Sequence, residues 1–362
     1  MKLDRKFVNC VFPIGTQEED EISWIGTGLL YGKELPDKPG SYYVFLVTNK
    51  HVVEDETGLV VRLNSQSGAA ARNFSVGDAG EWEINKSADV AVRRVPFKLN
   101  DNDLPLDWIK ESETWNLSDL IQNQVSEGDG AYVIGFPLGL VGVEIAAPIV
   151  RSAILARIQD TLAGHSKNFL IDSAVFPGNS GGPCLVVPID NSSFIGIEIQ
   201  ESKLVGLVSA YVPYHDDAIS RQTGEVRVRF TEHSGLSNVV PFDRVEETVI
   251  SYALNHGLTN LLPKESDSDQ GWDAKSFLAK LGYSTRKGGP SKAQRVEILR
   301  GAVDSQSLSQ VSGHIAWLIR SFSSRPDSAT YRQAIKKWQS DFDTLREWYE
   351  ESGESFWWPS ID

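Results

Sequence analysis

Over its first 240 residues the chain repeats one pattern, a short run of β-branched and aromatic residues followed by Gly, Pro, Asn or Asp. Such runs fall at residues 42–48, 60–63, 89–95, 131–136, 169–171, 204–212 and 225–230. Branched and aromatic side chains suit a pleated, half-buried surface, and the residues between them suit turns. Many short strands with few helical stretches restrict this part to a barrel or a sandwich. Residues 100–124, with Trp108, Ile109, Trp115, Leu117 and Leu120 among acids and amides, predict an inserted loop with a helical turn. At Pro241 the period changes. Val245, Val249 and Ala253 recur at four-residue steps, Pro241 suits a first turn and Gly257 an end, so a helix is expected between them.

Beyond that helix, residues 257–271 read as a linker, polar over 264–270 (KESDSDQ). Residues 272–362 read as a small all-α domain with helices over 273–281, 292–303, 310–322 and 330–349. Arg325-Pro326-Asp327 separates the last two. Six of the ten tryptophans follow residue 251, so this unit has apolar bulk for a core of its own.

Charge divides along the same line. Residues 251–362 hold 14 basic and 14 acidic residues, and residues 1–250 hold 21 and 35, which puts the whole net charge of −14 in the front part. An acidic front argues against a nucleic-acid footprint, because phosphate binding runs on clustered Lys and Arg. No apolar run approaches the roughly 18–20 residues of a membrane helix. Cys10 and Cys184 form no metal or disulfide pattern, and the first residues contain no small-residue cleavage site. A cytoplasmic location is therefore expected.

Three local patterns share one chemistry. Gly178-Asn179-Ser180-Gly181-Gly182-Pro183 sets a serine between glycines, which allow a sharp turn that aims successive backbone N–H groups at one point. Such donors stabilise the oxyanion of an attacked carbonyl. A serine hydroxyl needs a base to take its proton. Thr48-Asn49-Lys50-His51-Val52-Val53 offers His51 directly after an apolar strand. Ser87-Ala88-Asp89-Val90-Ala91-Val92 offers Asp89, able to hold the imidazole in the right tautomer. Neither a metal nor a cofactor is needed for this chemistry. His165, His215, His233, His256 and His314 fall outside these frames and are expected at the surface or at caps.

The order His51, Asp89, Ser180, with these flanks, resembles the chymotrypsin/trypsin-like serine peptidases, and most closely their HtrA-like bacterial branch. Gly26-Thr27-Gly28, Gly135-Phe136-Pro137-Leu138-Gly139-Leu140, the approach Ile171-Asp172-Ser173-Ala174-Val175-Phe176-Pro177 and Leu204-Val205-Gly206-Leu207-Val208-Ser209 extend the likeness, as does Gly235-Leu236-Ser237-Asn238-Val239-Val240-Pro241. The resemblance implies an all-β double six-stranded barrel over residues 1–256, with the site in the cleft between barrels. It implies His51, Asp89 and Ser180 as catalytic residues and the N–H groups of Gly178 and Ser180 as the oxyanion hole. Ser209, Ala210 and Tyr211 would form the strand that pairs with an extended substrate. Ala174 would floor the specificity pocket without a charge, which implies cleavage after small or medium apolar residues. Asn179 stands where zymogen-type relatives carry an aspartate, so activation through a freed N-terminus is not implied.

HtrA-like relatives continue into strand-rich PDZ domains, whereas this chain continues into helices. Six basic residues against Glu297 lie over 280–300, and seven acids against Arg346 over 341–362. These stripes suit mutual attraction inside a bundle, or a docking module for a regulatory protein. Phe356-Trp357-Trp358-Pro359 suits a core plug or a recognition tail. Prokaryotic trypsin-like domains joined to small helical domains occur in conflict and stress-signalling systems where a partner controls proteolysis. The expected function is a cytosolic serine endopeptidase acting on protein substrates under control of a partner or of its own helices. The alternative is a catalytically silent binding protein on a protease scaffold.

Overall fold

The computed structural model describes residues 3–98, 103–104, 107–187, 201–261, 277–325, 327–351 and 356–361. The short helix α1 (Arg5–Asn9) leads into β1 (Val11–Glu18), β2 (Glu21–Leu35), β3 (Lys38–Thr48), β4 (Leu59–Leu63), β5 (Arg72–Ser75), β6 (Glu83–Ile84), β7 (Ala91–Arg94) and β8 (Ile109–Lys110). These eight strands form one sheet in the order β5-β4-β1-β2-β3-β7-β6, with β8 parallel to β2. Then come α2 (Leu117–Gln122), β9 (Gly130–Gly135), β10 (Ile149–Arg157), α3 (Gln159–Leu162), β11 (Phe169–Asp172), β12 (Pro183–Val186), β13 (Lys203–Ile219) and β14 (Val226–Pro241). The last six strands close into a barrel in the order β10-β11-β14-β13-β12-β9.

The expected chymotrypsin-like arrangement of two β units is present. Its second unit has the expected six strands, and its first is an eight-stranded sheet instead. The two additional members are short, and β8 comes from the 100–124 insertion, which also supplies α2. Each β unit has its own apolar interior. Phe12, Ile14, Leu30, Leu46 and Val61 fill the first, and Val133, Leu155, Phe169, Ile171, Val205 and Val239 fill the second.

Helix α4 (Asp243–Asn255) joins the two units. Asp243 and Glu246 in its first turn suit the positive end of the helix dipole. Val245, Val249 and Ala253 are buried as their spacing predicts, in a cluster shared with Tyr31 and Phe45 of the first sheet. Tyr31 meets Phe242 edge-on at 5.2 Å, and Phe45 meets Tyr252 at 5.5 Å. On its polar side Thr248 Oγ1 accepts from Asn85 Nδ2 at 3.0 Å, and Ser251 Oγ donates to Glu83 at 2.6 Å. The helix that ends the second barrel thereby grips β6 and the loop leading to Asp89.

The C-terminal helices are α5 (Phe277–Lys280), α6 (Lys292–Ser305), α7 (Leu308–Ser324) and α8 (Arg332–Glu350). Residues 262–271 of the expected linker and 273–276 of the expected first helix lie outside the described residues. Leu299, Val311, Ile315, Leu318, Ile319, Trp338, Phe342 and Leu345 make the bundle core. Trp358 closes that core against Phe342 at 5.6 Å, while Trp357 is exposed and stacks on His165 of the second barrel at 4.1 Å. The aromatic tail is thus both plug and strap.

Bundle and barrel meet through buried polar contacts. Ser118 Oγ and His314 Nδ1 lie 2.5 Å apart. Asp243 accepts from Trp317 Nε1 at 2.6 Å and from the N–H of Leu117 at 2.9 Å. His314, expected at the surface or at a cap, is 2 % exposed, and burial pushes its imidazole down to about 4. It enters the interface neutral.

Inside the bundle Arg295 Nε donates to Asp341 at 2.6 Å, and Asp341 also accepts from Tyr283 Oη at 2.8 Å. Asp341 is fully buried. Removing one member of such a pair leaves an uncompensated buried charge and costs about 3–5 kcal/mol. Asp341→Ala is expected to lose that much in urea unfolding followed by tryptophan fluorescence, while the exposed Arg332→Ala stays within about 0.5 kcal/mol of the parent.

Candidate active site

His51 is held from within the first β unit, while Asp89 and Ser180 make contacts that join the two units. Buried Thr48 ends β3 with its Oγ1 donating to the Thr27 carbonyl at 2.7 Å. The chain then makes a single 3₁₀ turn, Lys50–Val52, which lifts His51 out of the sheet. Asn49 is buried, and its Nδ2 donates to the Asp89 carbonyl at 2.7 Å, binding the His51 turn to the Asp89 loop. In that loop Asn85 Oδ1 accepts from the N–H groups of Ser87 and Ala88 at 2.9 and 3.0 Å, a side-chain turn that sets up the entry to β7.

Asp89 receives three donors. Its Oδ1 accepts from the His51 N–H at 3.1 Å, and its Oδ2 accepts from His51 Nδ1 at 2.8 Å and from Ser209 Oγ at 2.6 Å. An ionised carboxylate accepts only, so Nδ1 carries the proton and Nε2 is left with its lone pair. Burial acts to raise the Asp89 pKa, but the hydrogen bonds from His51 and Ser209 outweigh it and hold the carboxyl below its ordinary range. The same hydrogen bond to Asp89 raises the His51 pKa above its ordinary value, against a smaller opposing effect of burial.

The serine turn is built on glycine. Gly178 and Gly181 have φ of +95° and +86°, and a Cβ on either would fall 2.4 Å from the Phe136 carbonyl or 2.1 Å from the Thr27 carbonyl. The Thr27 N–H donates to the Ser180 carbonyl at 2.8 Å, and the Gly181 N–H donates to the Val208 carbonyl at 2.8 Å. Thr27 Oγ1 adds a bond of 2.6 Å to the Gly178 carbonyl. Ser180 is thereby suspended between β2 of the first unit and β13 of the second. Its Oγ donates to the Ser209 carbonyl at 2.9 Å. Among the described residues no hydrogen bond joins it to His51 Nε2, and none occupies the N–H groups of Gly178 or Ser180.

Ser209 has a role beyond a substrate-pairing strand. It was expected only as part of a substrate-pairing strand, yet its hydroxyl braces Asp89. A register shift between Val208 and Ala210 bulges β13 at this residue, and bulges re-aim side chains. Thr27, quoted only as part of a glycine pair, bridges the two units. Neither role has a spacing signal. Ala210 is exposed, and Tyr211 stacks on His233 at 5.0 Å. Phe176 lies 5.8 Å from the same imidazole. Ala174 is exposed on the segment between β11 and the serine turn.

Both cysteines are free and buried, and burial pushes the Cys184 thiol up to about 12, which makes it inert as a nucleophile. Among the described residues no group of three His, Cys, Asp or Glu side chains could hold a metal ion, and no helix is long and apolar enough to cross a membrane.

Residues 26–196 match the family model of the trypsin-like peptidase domain. The chain is 29% identical over 170 residues to "Putative serine protease HhoB" of Synechocystis sp., a match covering 43% of this chain and 35% of that relative. It therefore spans about a third of the curated relative's length. Among solved structures, one titled human heparin binding protein matches at 12% identity with a TM-score of 0.40, and one titled the atomic resolution structure of HBP at 12% and 0.41. Each covers 70% of this chain and 95% of its own. Residues 26–196 are thus similar to the trypsin-like peptidase domain, and the motif residues His51, Asp89 and Ser180 all fall inside the matched segment.

The pairing of His51 with Asp89 is open to direct measurement. A raised pKa means that the ring holds its proton to higher pH than a free histidine, whose pKa is about 6.5. In the Ser180→Ala protein, the NMR titration midpoint of His51 is expected above that value. It should move down in Asp89→Asn, which removes the carboxylate that favours imidazolium. An unchanged midpoint would contradict the assignment.

Proposed function

We propose that the protein is a serine endopeptidase in which Ser180 attacks the scissile carbonyl, His51 acts as base and then acid, and Asp89 orients His51. The observation that carries this reading is the His51 Nδ1 to Asp89 contact of 2.8 Å, with Ser180 suspended by backbone bonds to both units. For catalysis the Ser180 hydroxyl must leave the Ser209 carbonyl and donate to His51 Nε2. His51 then takes the proton as Oγ attacks. The resulting oxyanion is held by the N–H groups of Gly178 and Ser180, which have no other acceptor among the described residues. Imidazolium returns its proton to the leaving amine, and water attacks the acyl-enzyme by the same route in reverse.

Ala174, carried over as the specificity position, brings no charge, which supports cleavage after small or medium apolar residues. Two free, buried thiols support a reducing, cytoplasmic setting. The helical unit is proposed as the regulator. It grips the second barrel through His314, Trp317 and Arg320, so a partner bound to it would act through α2 and α4 on the cleft.

One observation favours the alternative of a silent binding scaffold, namely the bond of Ser180 Oγ to the Ser209 carbonyl in place of His51. A fluorophosphonate probe separates the two readings. Labelling of the full chain that disappears in Ser180→Ala is expected, and a folded protein that never labels would establish the scaffold. In a peptide library, cuts are expected after Ala, Val or Leu. Dominant cleavage after Lys or Arg would contradict the assignment of Ala174.

A further inference from the structure

Beside the Asp89 loop lies a cavity of about 380 Å³, lined by Asp89 itself and by cations to which the peptidase mechanism gives no role. Lys50 and Lys86 line it from the first β unit, and Lys167 and Arg244 line it from the second. Four cations from four separate segments thus meet at one hollow, in a chain of net charge −14. Two of them are already engaged. Lys50 pairs with Glu54 at 3.0 Å, and Arg244 Nη1 pairs with Glu247 at 2.7 Å. Lys86 and Lys167 are exposed and have no carboxylate partner among the described residues. The carboxylates that line the cavity, Glu54 and Asp89, are bonded to Lys50 and to His51 with Ser209.

The four cations face the carboxylates of Glu54 and Asp89 and the Glu247 that pairs with Arg244, which leaves an excess of one positive charge in a concave site, where low-dielectric walls concentrate the field. Ammonium groups are compact point charges without the planar fork that suits carboxylates, and they serve phosphate oxygens in any orientation. Crevices between structural units are also where small ligands most often bind. We propose that this cavity is a binding site for a small, multiply charged phosphate-bearing anion, held between Lys86 and Lys167 with Lys50 and Arg244 beside them.

Such an anion would bridge the two β units. Its first-unit contacts flank the proposed catalytic groups directly, since Lys50 precedes His51 and Lys86 begins the Lys86-Ser87-Ala88-Asp89 run. Its second-unit contacts are the residue pair before β11 and the first turn of α4. A ligand there would hold the Asp89 loop against the second barrel. That effect on turnover rests on the peptidase reading, but binding does not.

The test uses the full-length Ser180→Ala protein and sodium tripolyphosphate, with sodium chloride at matched ionic strength as the reference. Saturable binding by calorimetry, with a rise in melting temperature, is expected. Lys86→Gln/Lys167→Gln, both at exposed positions, should keep the unliganded melting temperature and weaken Kd at least tenfold. Lys336→Gln, an exposed lysine on α8, should bind as the parent does. No saturable binding beyond the chloride reference, or an unchanged Kd in the double variant, would overturn the site. Because the nucleophile is absent throughout, failure of peptide hydrolysis and failure of anion binding are separate results.

Discussion

The carboxylate of Asp89 is the point on which the rest of the cleft depends. It is half-buried, and burial alone would push a carboxyl toward its neutral form. Three donors reverse that tendency, namely the His51 N–H, the His51 ring and the Ser209 hydroxyl. Two come from the turn after β3 and one from the bulge in β13, so a single charge binds the first β unit to the second. The histidine tautomer follows from the same contact. Without that charge the ring loses the acceptor that fixes its orientation, and the Ser209 hydroxyl loses its partner.

Architecture is arranged around keeping that contact in register. Helix α4 leaves the second barrel, buries Val245, Val249 and Ala253 on the first sheet, and bonds Asn85 at the root of the Asp89 loop. The C-terminal bundle then fastens to α4 and α2 through Asp243, Trp317, Ser118 and His314. Its interface is polar, buried and specific, which suits a fixed attachment more than a passing contact. Regulation through the helices, as proposed, would therefore travel along α4 and would not require the bundle to enter the cleft.

Much of this was legible in the sequence, for identifiable reasons. Strands flanked by turn residues announced themselves by branched side chains, and the helix after Pro241 by its four-residue period. The three motifs were legible because each sits at a strand end where glycine or a polar residue interrupts an apolar run. Other features depend on contacts that no local pattern encodes. The hydroxyl of Ser209 reaches Asp89 across 120 positions only because β13 bulges there. The strand β13 runs on to Ile219 past Pro213, and β14 starts again at Val226, so the two runs read at 204–212 and 225–230 are parts of one long exposed hairpin. The burial of His314, in place of a surface or cap position, has no local signal because its partner, Ser118, lies in the insertion of a different unit. The parallel pairing of β8 with β2 is equally non-local.

The central claim is that Asp89 holds His51 as the base for Ser180, and it is tested most directly by the isosteric change Asp89→Asn. Asparagine keeps the shape but donates from its amide and cannot hold the protonated Nδ1, which leaves Nε2 without its lone pair. A fall of about 10⁴ in kcat is expected for cleavage of a peptide substrate at neutral pH, with the fold intact. An Asp89→Asn protein that turns over within a few fold of the parent would contradict it.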